Sequence, residues 1–90
     1  MNEFKTFNDG VEISYSNLDR DKEGKEFVKV RVERWNYEYQ RFEGLDMVIP
    51  SGEVENIDNV KRRDIDFYKS RVLEYAQDII NEARINAGMF

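Results

Sequence analysis

Ninety residues are fewer than the ~100–150 of an ordinary domain, so two independent hydrophobic cores are excluded and one domain over residues 1–90 is expected. Hydrophobic residues at 40% and aromatics at 13% rule out a composition-driven disordered chain, while 37% charged residues keep any core thin. Fourteen basic against nineteen acidic side chains leave a net charge of −5, which disfavours generic attraction to phosphate backbones or anionic lipid; the absence of Cys and His removes disulfides, thiol nucleophiles, Cys/His metal sites and the commonest general base at neutral pH.

Residues Met1 to Phe7 hold no basic region followed by an apolar run, and nowhere do about 18 uncharged apolar residues follow one another, so a cytoplasmic protein without membrane contact is expected. Phe4 to Phe7 and Val11 to Ser16 flank Asn8-Asp9-Gly10, whose residues tolerate the positive φ of a tight hairpin. In the second strand Val11, Ile13 and Tyr15 alternate with Glu12, Ser14 and Ser16, the period of two of a half-buried strand. A charged loop, Asp19 to Lys25, precedes a third strand in which Val28, Val30 and Val32 alternate with Lys29, Arg31 and Glu33. Beyond Glu33 the phase changes, since Trp35, Tyr37 and Tyr39 fall on odd positions; either a bulge or turn intervenes or the sheet carries apolar side chains on both faces. A two-residue turn at Tyr37-Glu38 would set Val30 opposite Leu45 and Val28 opposite Met47, with a fourth strand ending near Ile49.

The only proline, Pro50, marks the expected change from strands (about 4–49) to helix (about 64–87). Ile65, Tyr68, Val72, Tyr75, Ala76, Ile79 and Ala83 form one stripe at 3.6-residue spacing, Asp64 is placed to cap the first turn, and Gly88 suits the position past the last. A break between Asp58 and Asp64 keeps the Lys61 ammonium off the sheet. The expected fold is α+β: a three- to four-stranded antiparallel meander followed by one long C-terminal helix packed on one face, with Val11, Ile13, Val28, Val30, Val32, Met47, Tyr68, Val72, Tyr75 and Ile79 as its core.

Four groups bear on function. Asp19, Asp21, Glu23 and Gly24 resemble the opening of an EF-hand calcium loop, but the position of its bidentate glutamate is Val30, so a solvated charged loop is preferred and neither metal nor cofactor is expected. Trp35, Tyr37 and Tyr39, interleaved with arginines, suit a protein interface, and on the face the helix leaves bare they favour pairing of two copies, together with Met89 and Phe90. Lys61, Arg62 and Arg63 form the concentrated positive patch; with Arg31 they define the alternative, a nucleic-acid-binding module, against the plainer reading that nearby aspartates neutralise them. Asp66 and the i, i+4 series Glu74, Asp78 and Glu82 form an acidic ridge, whose like charges repel and whose spacing roughly matches phosphates. No catalytic constellation is present, so the sequence favours a small acidic non-enzymatic protein, a bacterial or phage regulator or inhibitor that docks on a basic, nucleic-acid-handling protein.

Overall fold

The structure, a computed structural model, describes residues 1–88. Six strands and a helix follow in the order β1 (Asn2–Thr6), β2 (Glu12–Tyr15), β3 (Asp19–Arg20), β4 (Glu26–Asn36), β5 (Arg41–Ile49), β6 (Val54–Asp58) and α1 (Ile65–Asn86), with a 3-10 turn at Arg62–Asp64. The sheet is antiparallel, ordered β1-β2-β4-β5-β6, and β3 pairs with β4 beyond the end of β2. The expected α+β meander with a C-terminal helix is present, but it has six strands, not three or four.

Both additional strands lie in segments where charge and irregularity hide the period of two. Asp19 and Arg20 pair with Phe27 and Glu26, and the Asp21 carboxylate accepts hydrogen bonds from the Glu23 and Lys25 backbone N–H groups at 2.9 and 3.0 Å. The carboxylate that looked like a calcium ligand therefore shapes a turn. The expected passage to helix after Pro50 also fails, because the chain reverses at once: Val48 and Glu53 are bonded at 2.8 Å, Gly52 takes φ +84°, and β6 returns along β5. A bulge between the Asp46↔Glu55 and Gly44↔Asp58 pairs, with Asn56 at φ +47°, erases any alternation in β6. Opposite it, Gly44 lets β5 approach β4 so closely that a Cβ would collide with the Val32 carbonyl and lie 2.7 Å from Glu33 Cβ.

The β4–β5 loop contains four residues, Tyr37 to Gln40, rather than two. Asn36 Oδ1 accepts from the Glu38 and Tyr39 N–H groups at 2.9 and 3.1 Å, and Gln40 takes φ +49°. Val30 consequently faces Met47 and Val32 faces Leu45, two residues from the expected register. An even shift leaves the same side chains on the same face, so the core is unaffected. No bulge interrupts β4 against β5; the phase change instead puts Trp35 on the face opposite the valines, while Tyr37 and Tyr39 belong to the loop and not to the sheet.

One face of the sheet is closed by α1. Tyr68, Val72, Ile79, Ile80 and Ala83 pack on Val11, Ile13, Tyr15, Val28, Val30, Val32, Leu45, Met47 and Ile49, all buried. Each valine so removed from water contributes roughly 1.5–3 kcal/mol before entropy. Tyr75, expected in this core, is only half-buried, its ring resting 5.2 Å from Phe7 and 6.0 Å from Phe4. Asp64 precedes the helix as expected but makes no side-chain cap, because it is itself in the helical region within the 3-10 turn. Gly88, at φ +76°, donates to the Ile85 carbonyl at 2.9 Å beyond the helix end.

Candidate functional site

The face of the sheet away from α1 is organised around Arg31. Its guanidinium donates to Asp58 at 2.7 Å, Asp46 at 3.2 Å, Glu33 at 3.4 Å and the Asn56 carbonyl at 3.1 Å, and the side chain is 16% exposed. Burial opposes its charge, but the hydrogen bonds to Asp58, Asp46 and Glu33 outweigh that effect and hold it more firmly protonated. Asn56, in its bulge, also donates to Asp46 at 2.8 Å. Of the expected nucleic-acid set, Arg31 is thus surrounded by carboxylates and closed to phosphate. Of the three aromatics expected on the open face, Trp35 lies there with this polar cluster while Tyr37 and Tyr39 belong to the loop; Met89 and Phe90 lie outside the described residues.

A different surface forms where the β4–β5 loop meets the segment leading into α1. Trp35 and Phe42 are cross-strand partners on the face away from α1, with ring centroids 4.9 Å apart; both are partly exposed, as are Tyr39 in the loop and Phe67 on the α1 side, and Tyr37 is 85% exposed. Asn59 Nδ2 donates to the Phe42 carbonyl at 3.0 Å, tying the end of β6 to this loop. On the α1 side of the sheet Glu43 accepts from Tyr68 at 2.8 Å, Arg34 at 3.1 Å and Asn36 at 3.3 Å. Burial alone would raise the Glu43 pKa, but the hydrogen bonds from Tyr68, Arg34 and Asn36 leave it below the usual carboxylate value; burial and the Glu43 bond push the Tyr68 phenol up. Next to this cluster Arg71 binds Asp9 at 2.7 and 3.3 Å and lies 4.5 Å from the Phe7 ring centroid; its hydrogen bond lowers the Asp9 pKa.

Lys61, Arg62 and Arg63 are exposed in the connecting segment. Among the described residues none of them makes an ion pair, whereas Asp58, one of the aspartates expected to neutralise them, belongs to Arg31. Arg31 and the Lys61–Arg63 patch therefore do not form one basic surface.

On α1, Glu74 and Asp78 are exposed and Glu82 is half-buried, where its charge adds to burial in raising the Tyr15 phenol. Asp66 is exposed one helix region earlier, about 80° around the axis from Glu74 at 100° per residue. None of these four carboxylates is in an ion pair among the described residues. Ile85, 58% exposed, continues the line of Asp78 seven residues on. Reasoning from sequence did not find Glu43, Asn36 or Asn59, whose placement depends on the unforeseen β6 turn and hairpin loop, nor Phe67 on α1; Pro50-Ser51-Gly52 was the signal that could have located that turn.

No helix among the described residues is long and apolar enough to cross a membrane. No protein-family model matches the chain, and no curated protein or solved structure matches it.

Proposed function

We propose that the chain is a non-enzymatic, cytoplasmic binding domain that docks on the basic surface of a protein partner through the exposed side of α1, as a bacterial or phage regulator or inhibitor of a nucleic-acid-handling protein. The observation that carries this reading is the line Glu74, Asp78, Glu82 and Ile85: carboxylates at i+4 spacing without an ion pair among the described residues, joined by an exposed apolar side chain. Like charges at that spacing cost an isolated helix some tenths of a kcal/mol per pair, and cations on a partner relieve the cost. Ile85 supplies an apolar contact that a solubilising face does not need. The carboxylates Asp9 and Glu43 are engaged by Arg71 and Arg34, which suits them to structure better than to proton transfer.

The test is affinity capture from nuclease-treated extract of the source cell, with the parent chain and with Glu74→Lys/Asp78→Lys/Glu82→Lys. A basic protein retained by the parent, released by salt and lost on charge reversal supports the reading. Equal retention by both chains, or recovery that disappears with nuclease, contradicts it.

A further inference from the structure

We infer that the end of the molecule formed by the β4–β5 loop and the segment before α1 is a second binding surface, for single-stranded nucleic acid, independent of the acidic ridge. Two observations meet there. The first is aromatic: Trp35, Tyr37, Tyr39 and Phe42 are all partly or largely exposed within one hairpin. A cation already rests against one of them, with Arg41 5.1 Å from the Tyr39 ring centroid.

The second is charge. Seven basic side chains make no ion pair among the described residues, and five of them, Arg41, Lys61, Arg62, Arg63 and Lys69, belong to this end and the start of α1. Across residues 34–43 and 57–71 there are seven basic and five acidic side chains, against seven and fourteen in the rest of the chain. The end is thus +2 and the remainder −7. The described chain is 43 Å long, and charges are screened within about 8 Å at physiological ionic strength, so most of the acidic body is too distant to cancel this local field.

Geometry favours a strand over a duplex. A cavity of about 270 Å³ opens between the hairpin loop and the incoming segment, lined by Asn36, Tyr39, Arg41, Asn59 and Lys61 among others. Three carboxylates also line it, Glu38, Glu43 and Asp64, of which Glu43 is already held by Arg34, Asn36 and Tyr68. Tyr39 lines this cavity beside Arg41 and Lys61, whereas Trp35 and Phe42 lie on the other face of the hairpin. An unstacked base can lie on the Tyr39 or Tyr37 ring while Arg41 and Lys61 reach phosphates, a combination of ring and cation that a paired helix cannot use because its bases are stacked inside. An acidic peptide would satisfy the cations and leave the rings without planar partners.

Trp35 is the chain's single tryptophan and lies in the same hairpin, so its fluorescence reports on binding at this end of the molecule. Titration of the whole chain with oligothymidylate at low salt should quench Trp35 saturably, whereas a DNA duplex and polyglutamate should bind at least tenfold more weakly. Tyr37→Ala should weaken oligothymidylate binding roughly tenfold, as loss of one stacked base does. Tyr37 is largely solvated, so the thermal midpoint checks that this variant remains folded. Lys61→Gln/Arg62→Gln/Arg63→Gln should reduce the dependence of log affinity on log salt by about 0.7 for each phosphate no longer neutralised, while Glu74→Lys/Asp78→Lys/Glu82→Lys should retain the Trp35 response. Absence of saturable quenching, or polyglutamate binding as tightly as oligothymidylate, overturns the assignment; the latter would identify an acidic protein segment as the occupant.

Discussion

Arg31 and the Lys61–Arg63 segment look alike in sequence, yet the fold gives them opposite tasks. Arg31 lies mid-strand on β4, where antiparallel pairing brings Asp46 alongside and the β6 bulge brings Asp58 and the Asn56 carbonyl over it. The loop cations have no such sheet neighbours and remain exposed without ion pairs among the described residues. A basic residue's function is thus set by what the sheet register delivers to it, and composition alone could not separate the two.

The sharpest way to break this comparison is Arg31→Ala. It would leave Asp46, Asp58 and Glu33 clustered without their common cation, at a cost of about 2–3 kcal/mol in urea unfolding. A loss below about 0.5 kcal/mol would place Arg31 with ordinary surface charges. Tyr68→Phe removes a single hydrogen bond to Glu43 and should cost about 1 kcal/mol, with the fold and Trp35 emission retained.

Acid titration extends the test to the other engaged carboxylates. Asp9 and Glu43 have folded pKa values below their ordinary ones, so their contribution is complete above the unfolded values near 4 and is lost as pH falls through the folded values. The thermal midpoint should therefore decline from about pH 5 downward, and Arg71→Gln should flatten the part that Asp9 supplies. A parent midpoint unchanged down to about pH 2 would contradict the pairing. At the small end, Lys61→Ala/Arg62→Ala/Arg63→Ala should alter stability by less than about 0.5 kcal/mol, since these side chains hold nothing together.

The core and the helix were legible because each obeys one period without interruption: Val28, Val30 and Val32 on a strand, and the Ile65 to Ala83 stripe on α1. What stayed hidden depended on irregular backbone. The β6 strand carries a bulge at Asn56, β3 is two residues long in a charged segment, and the four-residue loop after Asn36 displaced the register by two. The same irregularities place Asp58 beside Arg31 and Asn59 beside Phe42, so the pairings that sort structural from available charges were the least visible. The acidic ridge was legible as spacing; that its members form no ion pair among the described residues is tertiary information.

The fold consumes the charges around Arg31, whereas the ridge on α1, proposed above as a docking face, sets like charges side by side without an ion pair among the described residues. Urea unfolding of Glu74→Gln/Asp78→Asn/Glu82→Gln at low salt measures this directly. Relief of i+4 repulsion near the negative end of the helix dipole predicts unchanged or greater stability, by up to about 1 kcal/mol. A loss of about 1 kcal/mol or more would show that the ridge stabilises the fold, and would contradict the account.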